Sequence, residues 1–163
     1  MTDIKKILVA VDFSQNSGKL LQEAIYFAKK CDATIEIVFV LENFTEGRDF
    51  YFPYILLPEK EEEELKRMPV PELESLMRQR AEEEMETLVK KNMDPAIACK
   101  TILLSGEAAE EITKYAEQEV IDLILMGTHG YKGFNELILG SEAHKVIRSA
   151  PCLVITDNNR NLF

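Results

Sequence analysis

The chain has 163 residues, 46% of them hydrophobic and 29% charged, the balance of one soluble globular domain rather than a disordered polymer. A chain of this length buries roughly 70% of its unfolded surface on folding and needs no metal or disulfide staple. Its formal charge of −10 argues against nucleic acid and anionic membrane surfaces as partners, because both are gripped by clustered Lys and Arg.

The opening residues Met1 to Lys6 lead into only a short apolar stretch with no small-residue cleavage site behind it. That pattern predicts no signal peptide and a cytoplasmic protein. No apolar run approaches the ~20 residues of a membrane span. Residues 6–12, Lys-Ile-Leu-Val-Ala-Val-Asp, are apolar on both faces and end in a carboxylate, as in a strand covered on both sides. From Ser14 the period changes: Leu20, Leu21, Ala24, Ile25, Ala28 and Cys31 recur at helical spacing, with Ser14 or Ser17 as the cap. Residues 33–41 form the second strand, rich in β-branched and aromatic side chains.

Residues 42–70 interrupt this rhythm. Phe44, Phe50, Tyr51, Phe52 and Tyr54 are followed by Ile55-Leu56-Leu57 and the acidic run from Glu59 to Glu64. Prolines at 53, 58, 69 and 71 forbid one continuous helix. Long irregular stretches inside a domain are usually functional or mobile, so this segment is expected as an insertion. Its aromatic cluster either folds over a ligand site or forms a partner surface, and its acidic run reads as a solvated face.

Pro71 suits the first turn of a helix whose stripe is Leu73, Leu76, Met77, Ala81, Met85, Leu88 and Val89. A third strand is expected over 96–104. Ser105-Gly106 then turns into a helix carrying Ala109, Ile112, Tyr115, Ala116 and Val120. Residues 122–126 read as a fourth strand. A glycine-bearing loop runs from Gly127 to Gly140, and Ser141 caps a helix with Ala143, Val146 and Ile147 that Pro151 ends. Residues 152–156 make the fifth strand, and a polar tail follows from about 157. Strands alternating with helices imply a parallel sheet with helices on both faces. Such open sheets bind ligands beyond the carboxyl ends of their strands, where strand order reverses.

Several candidate residues fall at those ends. Asp12 closes the first strand, either as a ligand contact or as a cap for the following helix. Gly127, Gly130 and Gly133 can form a concave backbone that lets phosphate reach N–H groups, or they simply permit turns. Gly140-Ser141 adds a helix N-terminus and a hydroxyl, and Lys132 a cation. The spacing matches neither a P-loop nor G-x-G-x-x-G. His129 reads either as a phosphate contact or as an exposed loop residue, and His144 as a partly buried packing residue. The cysteines, Cys31, Cys99 and Cys152, are odd in number and widely spaced, which predicts reduced, near-core side chains rather than a disulfide or zinc framework.

The segment Gly127-Thr-His-Gly130, nine residues, then Gly140-Ser141 resembles the nucleotide-binding signature of the universal stress protein family. Residues 7–14, with Asp12 at the strand end, resemble the family's opening. Residues 105–112, 122–127 and 150–155 resemble its later elements, so that only the insertion and the tail lie outside the resemblance. The resemblance implies the adenine nucleotide alpha-hydrolase-like fold, an α/β domain with a five-stranded parallel open sheet in the order 3-2-1-4-5. It implies a homodimer through the last strand. It also implies bound ATP or another adenine nucleotide, with Mg or Mn held mainly by the phosphates. Ala10 and Val40 would then line the adenine pocket, Asp12 would meet the ribose or adenine, and Met126 and Gly127 would flank the sugar. His129, Gly130, Lys132 and Gly133 would surround the phosphates, and Gly140 and Ser141 would hold the terminal ones.

One residue departs from the family pattern. Where a small apolar residue is common after Gly-Ser, this chain has Glu142. A carboxylate there suits the helix dipole but repels a triphosphate by ~1 kcal/mol or more. It either points away or helps hold a divalent cation. The function expected is that of a nucleotide-dependent sensor or regulator in the stress response. Two alternatives stand beside it. One is a slow ATPase or autophosphorylating protein, for which the loop supplies no arginine and only His129, Glu142 and Asp12 as candidate bases. The other is a nucleotide-free dimeric protein that binds a partner through residues 44–57.

Overall fold

A computed structural model of the chain describes residues 3–42, 56, 60, 62–128 and 140–157. Its elements are β1 (Lys6–Ala10), α1 (Asn16–Cys31), β2 (Thr34–Leu41), α2 (Glu62–Arg67), α3 (Val70–Asn92), β3 (Cys99–Ser105), α4 (Ala108–Gln118), β4 (Leu123–Gly127), α5 (Ser141–Ser149) and β5 (Leu153–Asp157). The strands form one sheet in the order β3-β2-β1-β4-β5, every pair parallel. This is the expected doubly wound architecture. Its order reverses between β1 and β4, where Ala10 lies in register with Val38 on one side and Met126 on the other.

Alternation along the central strands divides the core into two layers. Ile7, Val9, Ile35, Ile37, Phe39, Leu123 and Leu125 face α1 and α3, whose buried stripes include Leu20, Leu21, Ala24, Leu73, Met77, Ala81 and Met85. Leu8, Val38, Val40, Ile124 and Met126 face the opposite layer, with Ala109, Ile112 and Ala116 of α4 and Ala143 and Val146 of α5. Burial on both faces is what makes these strands continuous apolar runs.

The structure shifts some boundaries. The third strand starts at Cys99 rather than 96, because Asp94 draws the preceding residues into a turn. Its side chain accepts from the Ala96 N–H at 2.9 Å and its carbonyl from the Ile97 N–H at 3.0 Å. Residues 42–70, expected as an insertion, contain a helix, α2, that the acidic composition concealed. Leu65 anchors it at 0% exposure, and Leu56 is also buried in the α1/α3 layer. Pro69 separates α2 from α3, and its carbonyl accepts the N–H groups of Glu72 and Leu73. Phe44, Phe50, Tyr51, Phe52 and Tyr54 lie outside the described residues. The three cysteines are free and half-buried.

One buried charge stands apart from the strand ends. Glu36 near the start of β2 is 4% exposed. It accepts a hydrogen bond from the Tyr115 hydroxyl at 2.8 Å and pairs with Lys100 at 3.2 Å. A buried carboxylate so partnered belongs to the architecture, joining β2, β3 and α4.

Candidate functional site

At the carboxyl end of β1, Val11 extends the sheet by donating its N–H to the Val38 carbonyl at 3.0 Å. Asp12 follows. One of its oxygens accepts the Ser14 N–H at 2.9 Å and the Ser17 hydroxyl at 3.3 Å. Both partners are local, so Asp12 organises the entry to α1. Neither Ser14 nor Ser17 caps that helix with its side chain; the N-cap position is Gln15, with no side-chain cap. Phe13, between Asp12 and Ser14, takes a positive φ of 60° and packs on Phe39 with ring centroids 4.3 Å apart. That turn leaves the second Asp12 oxygen, Oδ2, with no hydrogen-bond partner among the described residues.

The end of β4 lies beside it. Thr128 donates its N–H to the Asp157 carbonyl at 3.0 Å and its hydroxyl to the same oxygen at 3.3 Å. Its own carbonyl accepts the Gly140 N–H at 2.7 Å. The two ends of the glycine-bearing loop are therefore pinned to each other and to the end of β5. Lys19 of α1 closes the group with an ion pair to Asp157 at 2.9 Å, and that hydrogen bond raises the ammonium above the ordinary lysine range. Gly140, rather than Ser141, is the N-cap of α5. The first turn-closing bond of the helix runs from the His144 N–H to the Gly140 carbonyl at 3.0 Å. The N–H groups of Ser141, Glu142 and Ala143 and the Ser141 hydroxyl thus have no hydrogen-bond partner among the described residues. Open N–H groups at a positive dipole end are the elementary anion site of a helix.

Glu142 turns away from this opening. One of its oxygens accepts the Ala109 N–H in the first turn of α4 at 3.1 Å, and the other pairs with Lys145 at 3.0 Å. Lys145 also reaches Glu107 at 2.6 Å, and Glu107 caps α4 by accepting the Glu110 N–H at 2.8 Å. The two carboxylates hold the Lys145 ammonium above its ordinary range. The Lys145 hydrogen bond in turn draws the Glu107 carboxyl below its own, against the opposing effect of partial burial.

Of the residues expected at the site, Ala10, Asp12, Met126, Gly127, Gly140 and Ser141 meet at the β1/β4 crossover, Val40 lies at the end of the neighbouring β2, and the Glu142 carboxylate is turned onto α4 instead. Val40 and Met126 are 5% and 6% exposed, with side chains in the α4/α5 core layer. His129, Gly130, Lys132 and Gly133 lie outside the described residues. His144 is exposed rather than packed, because the buried face of α5 is only Ala143 and Val146 wide. Sequence reasoning missed Thr128, Lys145, Glu107 and the Lys19–Asp157 pair. The three-residue spacings from Glu142 to Lys145, a helical salt-bridge spacing, and from Glu107 to Glu110 could have signalled Lys145 and Glu107; Thr128 and the Lys19–Asp157 pair are long-range contacts with no local signal.

The model of the universal stress protein family matches residues 3–156. The chain belongs to the universal stress protein family. Among curated relatives, Universal stress protein MJ0577 of Methanocaldococcus jannaschii is 31% identical over 160 residues, covering 95% of this chain and 96% of its own. The solved structure of the MJ0577 protein superposes with a TM-score of 0.73 at 27% identity, covering 95% and 96% of the two chains. Two more distant structures share the fold. One is a universal stress protein from Archaeoglobus fulgidus in complex with dAMP, with a TM-score of 0.58, 19% identity and coverage of 95% and 98%. The other is a universal stress protein in complex with cAMP, with a TM-score of 0.59, 15% identity and coverage of 96% and 98%. The sheet order and helical layers of this universal stress protein are those of the adenine nucleotide alpha-hydrolase-like fold.

Proposed function

We propose that this protein binds ATP or another adenine nucleotide at the β1/β4 crossover and acts as a nucleotide-dependent regulator in the stress response. The observation that carries the reading is the open N-terminus of α5. It is pinned to the end of β4 by the Gly140–Thr128 hydrogen bond and has the Ser141 hydroxyl on its first residue. The nucleotide complexes of the two distant family structures lend the ligand class. In this arrangement Ser141 and the first N–H groups of α5 receive terminal phosphate oxygens. The glycines at 127, 130 and 133 admit the chain of phosphates, with His129 and Lys132 beside them. Asp12 takes a ribose hydroxyl or adenine N–H on Oδ2, and the backbone at Ala10 and Val40 borders the base. Mg or Mn would be held by the phosphates.

A dimer through β5 accompanies this reading. β5 is an edge strand, and Leu153 on it is 58% exposed, whereas monomers usually protect such edges.

Calorimetric titration with Mg-ATP, with GTP and AMP as controls, tests the site. The expected result is adenine-selective binding in the micromolar range, abolished by Gly130→Val because a branched side chain blocks phosphate from the backbone. Absence of heat with protein shown to be free of carried-over nucleotide rejects the site. Unchanged affinity in the Gly130 variant rejects the assigned cradle.

A further inference from the structure

Glu142 presents a physical problem that the observed contacts answer. Its carboxylate belongs to the residue directly after Ser141, on a helix whose N-terminal turn is open to an anion. A negative charge free in that turn would compete with the anion for the same N–H groups and repel it. The carboxylate is instead drawn to a second helix. The Ala109 N–H takes one oxygen and Lys145 the other, while Lys145 is itself shared with Glu107. The first turn of α4 is thereby filled by two carboxylates, Glu142 on Ala109 and Glu107 on Glu110. Among the described residues Lys145 is the one cation joined to both.

Resting on the nucleotide reading above, we propose that Lys145 is a positioning residue for phosphate recognition: it holds Glu142 against α4 and neutralises it, so that the N-terminus of α5 is left to the polyphosphate. Removing the ammonium leaves two carboxylates beside the cradle with no counter-charge among the described residues, and Glu142 keeps only one of its two tethers. The penalty should then grow with ligand charge. A nucleoside has no phosphate to repel, a monophosphate reaches the cradle least, and a triphosphate reaches it fully.

The test is calorimetric titration of four proteins with adenosine, AMP and Mg-ATP, with a thermal melt of each. The proteins are the wild type, Lys145→Met, Lys145→Arg, and the double variant Glu142→Gln/Lys145→Met. In the double variant both charges are removed, so the net charge beside the cradle is that of the wild type. Lys145→Met is expected to weaken Mg-ATP binding roughly five- to tenfold, which a repulsion at intermediate dielectric supplies, while adenosine is held as in the wild type. Lys145→Arg and the double variant should bind Mg-ATP within about twofold of the wild type. Unaltered Mg-ATP affinity in Lys145→Met overturns the proposal. So does a double variant as weak as the single one, which would place Lys145 itself on the phosphates. Equal losses for adenosine and Mg-ATP also overturn it, since they report a structural defect. A wild type that binds none of the three ligands rejects the nucleotide site itself, an outcome distinct from these.

Discussion

Val120 closes α4 with φ at +54° and 73% of its surface exposed. Its N–H donates to the Glu117 carbonyl, and the following Ile121 N–H reaches back to Ala116 at 2.9 Å, the pair of bonds that ends a helix through a left-handed residue. Glycine ordinarily fills that position, because a Cβ there crowds the neighbouring carbonyl at a cost of ~1–2 kcal/mol, and a β-branched residue fits it worst. Asp32 meets the same demand at the end of α1 with φ 54°, but a short polar side chain tolerates it better. Val120→Gly sacrifices little buried surface and removes the clash, at the expense of extra freedom in the unfolded chain. The variant is expected to be more stable by up to about 1 kcal/mol, read as a higher urea midpoint at unchanged slope. A lower midpoint would mean that the Val120 side chain packs in solution despite its exposure. Gly106 shows the opposite logic. At φ +145° a Cβ would stand 2.7 Å from the Glu111 Cγ, so the residue that starts the turn after β3 has to be glycine.

The junction of α4 and α5 gives stability a pH dependence. Glu107 is held below the usual carboxylate range chiefly by the Lys145 hydrogen bond, with the Glu110 N–H assisting. A carboxyl depressed on folding contributes stability that is fully present above its unfolded value, near 4.3, and is lost as pH falls through the lower folded value. Glu107→Gln should therefore be less stable than the wild type at pH 6, and the two should converge as pH falls below about 4. Denaturant midpoints measured across that range would decide it. A constant difference between the two proteins would assign the effect to the cap alone. This junction also marks where sequence reading stops. The strands and the long helices were legible because both-sided burial leaves apolar runs at 7–9, 37–41 and 123–126, and one-sided burial leaves the stripe from Leu73 to Met85. α2 was not, since its deep anchor, Leu65, sits among charged residues. The crossover with Asp12 and Gly140-Ser141 followed from element order. The partner of Glu142 did not, because Ala109 lies 33 positions away and only the packing of α5 on α4 brings its amide within reach.

At the scale of the whole molecule the two edges of the sheet are unlike. β3 exposes Lys100 and Thr101, and Lys100 is bound to the buried Glu36 behind it. A lysine on an edge discourages another strand from pairing there. β5 carries Leu153 instead, and α5, which packs against β5, exposes Ile147 at 46%. These are two of the four large apolar side chains exposed among the described residues. If the protein pairs through β5, the apolar surface at that edge should supply much of the driving force, and one charge placed on it should oppose association strongly. Leu153→Lys is expected to shift a wild-type dimer to monomer in sedimentation equilibrium without lowering the melting temperature of the monomeric fold, since Leu153 lies outside both core layers. The charge also sits at the start of β5, at the opposite end of that strand from Asp157 and the pinned loop. Adenine nucleotide affinity should accordingly survive in the monomer. A dimer that persists in Leu153→Lys would place the interface elsewhere. A monomer that loses nucleotide binding would show that the site is completed by the second copy.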